Sequence, residues 1–344
     1  MLTLTRQKRL SIISPSGFFL VVFALAPVLA GESPSDLVEA ARKEGEVVIY
    51  GSMSLANAEA LRLRFQQKYP FIQAKLNRIG GGKILSKVMS EFRAKKYLPD
   101  VVQALEFDMY IFRKNGVIGA YRSPEDQFYP NNFKEDGYWS PIYINPYVVA
   151  YNTKLVSAPG VPKTYEDLLR PEWKNKMMLE KNKEEWFAGM LQILGHEKGF
   201  KYMRALAQQN PALREGHSLI IQLVAAGEAA LDINIPLDFV EGLAKKDAPV
   251  NWVGLGPVPT IISGVGMSAH ASHPNAARLF INFVRSKEGQ ELMLSFGKRV
   301  ARTDLADRQT ETGRKPLQLV PVNPALAEKL PEYSSMLREI FSAN

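Results

Sequence analysis

The sequence predicts an α/β protein built as two lobes. Three observations point there. The chain has 344 residues, more than one small core needs. Strand and helix signals alternate along it. Its first half repeats one unit, strand then Gly/Ser turn then helix, with the turn at the strand's C-terminal end.

The elements follow in order. Ser35 caps a first helix with Leu37, Ala40 and Ala41 on one face, and Gly45 ends it. Residues 47–50, Val-Val-Ile-Tyr, form a continuous apolar run, the pattern of a strand buried on both faces. After the turn Gly51-Ser52-Met53-Ser54, Ser54 caps a helix that runs to Tyr69 and stops at Pro70. Residues 73–77 read as a second strand. Gly80-Gly81-Gly82 then opens a helix with Ile84, Leu85, Val88, Met89 and Phe92 in one stripe. Residues 99–102 start a third strand. A Tyr-, Pro- and Asn-rich stretch, 121–146, separates the halves.

Residues 147–151 are again a strand, and Thr164 with Asp167 resembles a capping box. Helical patterns recur at 184–194, 199–209 and 218–226. Strands are expected at 229–234, 251–255 and 264–267. Pro274 stands at the first position of a helix that turns Ala277, Phe280, Ile281 and Val284 inward. A last periodic stretch ends near Phe296-Gly297.

Residues 1–30 read as a secretory signal: Arg6, Lys8 and Arg9, an apolar stretch from Leu10, and Val28-Leu29-Ala30 before a cleavage point. An uncleaved membrane anchor is the other reading, and Pro15, Gly17 and Pro27 interrupt it. There is no cysteine, hence no disulfide, thiolate metal site or lipidated cysteine. The formal net charge is +8. A smaller positive excess remains without the signal, with both signs interspersed. No basic block with interleaved aromatics argues for nucleic acid. The excess is compatible with an anionic ligand.

Several strand-to-helix turns carry small residues, and helix N-termini present free N–H groups and a positive dipole end. Ligands of open α/β sheets sit off the strands' carboxyl ends, so two facing lobes would make a donor-lined cleft. Plain capping explains each turn singly; their repetition favours a cleft. Lys83 after the glycines lacks P-loop spacing and is either an anion contact or a solvated helix-start lysine. His270 and His273 stand at a helix entrance without a carboxylate beside them, which reads as capping or packing rather than metal binding. Asp232 and Asn234 alternate onto one strand face, toward ligand or toward solvent. Trp186, after Glu184 and Glu185, is either an aromatic wall or a core residue. No Gly-x-Ser-x-Gly, His-Glu-x-x-His or Cys nucleophile is present, and the protein is not expected to be an enzyme.

Val149-Ala-Tyr-Asn-Thr-Lys-Leu-Val156, Tyr165-Glu-Asp-Leu-Leu-Arg-Pro-Glu-Trp-Lys-Asn-Lys176, Ala226-Gly-Glu228, His273-Pro-Asn-Ala-Ala-Arg-Leu-Phe280 and Ser286-Lys-Glu-Gly-Gln290, in this order, resemble the type II periplasmic solute-binding proteins. The likeness is to extracellular solute-binding family 1, on the branch of the ferric-ion-binding proteins, and it covers nearly the whole mature chain. It implies two α/β lobes joined by crossover hinge strands. Lobe 1 would be residues 31–145 plus 257–297, and lobe 2 residues 146–256 plus 298–344. The resemblance further implies a periplasmic monomer that closes on a small molecule and delivers it to an ABC permease in the inner membrane.

The branch's ferric pattern is not met. Ser54 stands where a His follows the first strand, and Asn234-Ile235-Pro236 occupies the place of adjacent tyrosines. The expectation is therefore a small organic ligand bearing a carboxylate or phosphate-like group, with no metal and no cofactor. Ser52, Ser54 and the Gly81 and Gly82 amides would hold it from lobe 1, and Trp186 and Asn234 from lobe 2. The alternatives are a ferric or metal-chelate receptor using Tyr143 or Tyr147, and an exported enzyme on a related scaffold.

Overall fold

Residues 2–3, 34–309 and 316–342 are described by the computed structural model; the signal expected at 1–30 lies, residues 2–3 apart, outside them. By contacts the chain divides into Met1–Ser33 and Pro34–Asn344, and the fold is that of the second unit.

Its elements run α1 (Pro34–Glu44), β1 (Glu46–Gly51), α2 (Leu55–Lys68), β2 (Gln73–Arg78), α3 (Gly81–Arg93), β3 (Val101–Leu105), α4 (Glu106–Lys114), β4 (Trp139–Asn152), β5 (Met177–Glu180), α5 (Glu184–Leu194), α6 (His196–Ala207) and β6 (Ala212–Arg214). Then follow α7 (His217–Ala226), β7 (Leu231–Pro236), α8 (Leu237–Ala244), β8 (Val250–Val253), β9 (Pro257–Met267), α9 (Pro274–Arg285), α10 (Lys287–Ser295), β10 (Gln318–Pro321) and α11 (Leu330–Ser342). Among the described residues no helix is long and apolar enough to cross a membrane.

The expected α/β architecture in two lobes is present. In the first lobe β2, β1 and β3 are parallel, and β9 adds antiparallel beside β3. Val47 and Ile49 pack with residues of α1, α2 and α9, while Tyr50 packs on the other face with residues of α3 and α4. The apolar run of β1 is thus covered on both sides, as a strand with helices on both faces requires. In the second lobe β5 pairs parallel with β6 and β7. Helices α5, α6 and α11 share one core with this sheet, and α7 and α8 share the other.

Strand β4 joins the lobes. Its residues 139–146 pair antiparallel with β9, and its residues 147–152 pair with β7 and β8. The sequence reading ends the Tyr-, Pro- and Asn-rich stretch at Pro146 and starts the strand at Tyr147. The chain instead continues as strand through Pro141 and Pro146. The pairing with β9 shifts register between Pro141 and Tyr143, which accommodates the missing donor. Strand β9 returns the chain from β8 to β3 and is likewise longer than expected, starting at Pro257. Helices α4, α8 and α11 were not anticipated.

Helix α5 lies close against this return. A Cβ on Gly189 would sit 2.8 Å from both Pro259 Cβ and Val322 Cγ2. Gly189→Ala is expected to destabilise the protein by about 1–3 kcal/mol through overpacking at the crossover, read as a lower urea midpoint.

Candidate functional site

The C-terminal ends of β1 and β3 in one lobe, and of β5 and β7 in the other, converge on the crossover strands. In the first lobe a buried polar chain starts at Gln103. Its carbonyl accepts from the Ser52 and Met53 backbone N–H groups, both at 2.9 Å, and its amide donates to Ser263 Oγ at 2.6 Å. The Gln103 amide also lies 3.5 Å from Ser52 Oγ. Next along the same strands, the Ile262 N–H donates to the Glu106 carboxylate. Ser54 is exposed and caps α2, accepting from Asn57 N at 3.4 Å. Gly81 is the first residue of α3. Gly82 is exposed and borders a depression of about 480 Å³ between α3 and α4, shared with Met89, Arg93 and Asn115.

The second lobe places its two expected ligand residues inside. Trp186 is 3% exposed in a core that also holds Phe107, Tyr147 and Phe187. Asn234 is fully buried and clasps Glu180 of the neighbouring strand, accepting from its N–H at 2.9 Å and donating to its carbonyl at 3.1 Å. Of the two readings of Trp186, the core residue describes its surroundings. The face shared by Asp232 and Asn234 points neither to solvent nor to an open cleft. Contrary to the sequence reading, a carboxylate does stand beside His273: the buried Asp100, brought there by the start of β3, lies 2.8 Å from its Nδ1 and accepts from its backbone N–H, while His270 stacks on Tyr97 with centroids 4.0 Å apart.

Acidic groups gather where the lobes meet. Glu106 and Asp108 flank Phe107, whose ring lies in the same core as Tyr147 and Trp186, and Glu185 directly precedes Trp186. Burial pushes the Glu106 carboxyl well above its ordinary range, and the charges of Glu185 and Asp108 add to it. Burial, then the charge of Glu185, pushes Asp108 up to about 7. Burial also raises Glu185, against the charge of Lys183. Tyr147 is held a neutral phenol by burial and by the charges of Glu185 and Glu106. Among the described residues, the buried side-chain atoms without a hydrogen-bond partner include Glu106 Oε1, Asp232 Oδ2 and both ring nitrogens of His217, and also atoms of Glu91, Trp173, Gln209 and Gln290 elsewhere in the fold.

His217 opens α7, is 8% exposed, and packs against Tyr147 and Phe239 with centroids 5.9 and 5.5 Å away. Burial, with the nearby Lys183 charge, depresses it to about 3, so it is neutral at physiological pH. Sequence reasoning missed Glu106 and Asp108. Acids in a helix's first turn read as ordinary partners of its dipole, and nothing local shows that Glu106 is buried and Asp108 half-buried.

A two-lobed α/β fold with polar groups converging on its crossover strands defines a type II periplasmic binding protein. A family model for bacterial extracellular solute-binding proteins matches residues 98–316, and the chain belongs to this family. The fold is similar to that of iron-bound HitA from Pseudomonas aeruginosa (TM-score 0.74, 21% identity, 86% of this chain and 99% of that one). It is also similar to AfuA from Actinobacillus pleuropneumoniae with exogenous fructose-6-phosphate bound (TM-score 0.69, 22% identity, 87% and 99%). In sequence, 180 residues are 27% identical to the Fe(3+)-binding periplasmic protein of Serratia marcescens, 49% of this chain and 52% of that relative. The match thus spans about half of the relative's length.

Two stability predictions follow from the buried groups. Asn234→Ala strands a buried N–H and a buried carbonyl of Glu180, and is expected to cost about 2–4 kcal/mol in urea unfolding. Asp232 is raised from 3.8 to about 7 by burial, against the Asn234 N–H, with the charge of Glu180 adding to the rise. A raised carboxyl favours the fold below its unfolded pKa, and that contribution is lost as pH rises through the folded value. Asp232→Asn should therefore gain stability relative to wild type between pH about 4 and about 7, in urea melts across that range.

Proposed function

We propose that the protein is the periplasmic receptor of an ABC importer, a monomer that captures a small solute between its lobes and hands it to an inner-membrane permease. The lobes would be residues 31–145 plus 257–297 and 146–256 plus 298–344, hinged on β4 and β9. Family membership supports the binding role. One observation carries the location: the crossover strands meet both lobes where, among the described residues, Glu106, bonded to the β9 backbone, keeps one buried oxygen without a hydrogen-bond partner, and where His217 packs on Tyr147 of β4 with neither ring nitrogen partnered. Ser52, with Ser54 beside it, would line the first-lobe wall, and His217 the second. Trp186 and Asn234 would support the site from behind, and Gly81 and Gly82 would lie to its side.

The expectation of an organic anion meets an obstacle here. Any of Glu106, Asp108 and Glu185 that ionises would repel it at short range in a poorly solvated site, although burial favours their neutral forms. A ferric ligand is the second reading. The Pseudomonas structure is iron-bound, the Serratia relative is named for Fe(3+) binding, and carboxylates are hard oxygen donors. Tyr143 and Tyr147, the phenols proposed for it from sequence, are both raised by burial and would have to lose a proton on binding.

The test uses purified protein stripped of endogenous ligand by unfolding and refolding. Melting temperature and small-angle scattering are followed against organic cations, carboxylates, sugar phosphates, sugars and ferric citrate. A receptor gains about 2.7 kcal/mol at a hundred times the dissociation constant and contracts as the lobes close. A visible charge-transfer band with ferric citrate would select the second reading. Turnover of a bound compound would replace the receptor reading with an enzyme.

A further inference from the structure

We infer that Gln103 sets the specificity of the first-lobe wall: its side-chain carbonyl fills the pair of backbone N–H groups that follows β1, so the turn before α2 meets a solute with serine hydroxyls and is closed to an anionic oxygen. The inference deepens the receptor reading and rests on it for the wall that Ser52 and Ser54 line.

The argument starts from where the main-chain donors go. Strand-to-helix turns at the carboxyl end of an open sheet are where backbone N–H groups ordinarily face a ligand. Here the Ser52 and Met53 N–H groups converge on one atom, Gln103 Oε1, at 2.9 Å each. Two successive N–H groups aimed at one oxygen form a concavity that suits an anion. A carbonyl oxygen has two lone pairs, and this geometry uses both. The Ser52 N–H also lies 3.2 Å from the main-chain carbonyl of Gln103. Both donors are thereby taken by the protein itself.

The orientation of the amide is fixed from its other end. Its nitrogen donates to Ser263 Oγ at 2.6 Å and lies 3.5 Å from Ser52 Oγ. Gln103 and Ser263 are both buried, and Ser263 is hydrogen-bonded in turn to the Tyr143 phenol. A reversed amide would set its own N–H groups against those of Ser52 and Met53 in a site closed to water, leaving buried donors unsatisfied.

A second observation is independent of these bonds. Gly51 ends β1, and a Cβ there would lie 3.0 Å from Gln103 Oε1. Glycine at this position lets the carbonyl approach the turn so closely. The sequence thus supplies both the oxygen that fills the seat and the clearance it needs. What the turn leaves outward is the half-buried Ser52 and the exposed Ser54. Hydroxyls carry no charge and both donate and accept, so this wall suits neutral polar groups of a solute.

The experiment follows the Ser52 and Met53 amide resonances of the stripped protein by NMR, with sodium formate as the probe anion and sodium chloride at equal ionic strength as the control. In the wild type both amides are expected to be protected from deuterium exchange and to show no saturable shift with formate. In Gln103→Ala both should shift saturably, and formate should raise the urea midpoint of this variant above its value in chloride. Gln103→Glu keeps the acceptor. Its carboxyl should titrate below the ordinary Glu value of about 4.3, read from the same two amides, because both N–H groups favour the charged form. That variant decides the matter if Gln103→Ala does not fold. The closed seat is overturned by a saturable formate shift in the wild type, by a folded Gln103→Ala indifferent to formate, or by a carboxyl in Gln103→Glu that titrates above about 4.3. None of these readings needs the solute. A ligand screen that finds no solute while they hold would remove the receptor reading and leave the closed seat standing.

Discussion

Everything at the junction depends on one strand serving two sheets. Backbone groups of β4 are satisfied first by β9 and then by β7 and β8. The lobes are therefore fastened by hydrogen-bonded main chain rather than by side chains alone. A buried backbone group must find a partner, so the strand runs uninterrupted and changes partners at residues 146–147. The prolines at 141 and 146 fit this role. Each removes a donor near a register shift or a change of partner, where a regular ladder is already broken.

That constraint also explains the buried acids. Ending β3 against β9 brings Glu106 under the Ile262 N–H, and carrying β4 into the second sheet brings Tyr147 up to α7 and α5. Side chains on both sides are then desolvated by backbone geometry rather than by their own preference. A fold stabilised purely by its core would place Leu or Met there. A Glu106 oxygen and an imidazole retained in the core without partners mark positions where stability is not the governing requirement.

The fold was legible because its signals are local. The run at 47–50, the caps at Ser54 and Pro274 and the stripe of α3 state their structure within a few residues, and the structure agrees with each. The crossovers were less legible. In β4 and β9 tertiary pairing overrides the ordinary meaning of proline, and no window of sequence contains the partner strand. The site was the least legible. Asn234 was singled out for its strand face, but its amide is used across the sheet on Glu180, a residue 54 positions away. Trp186 sits beside Glu185, and only the packing shows that the acid borders the junction while the indole fills the core behind it.

Net charge was the weakest guide, for a physical reason. The formal +8 comes from side chains spread over a solvated surface, where salt screens each beyond about 8 Å. A ligand enclosed between lobes is screened far less and feels chiefly the few charges within that distance. Those around Phe107 and Trp186 are carboxyls, with Lys183 alone of opposite sign acting on Glu185. Relatives sharing this fold, one named with iron and one with a sugar phosphate, differ in ligand without differing in architecture. Ligand sign is a property of the few residues that line the junction, which the net charge of the chain does not report.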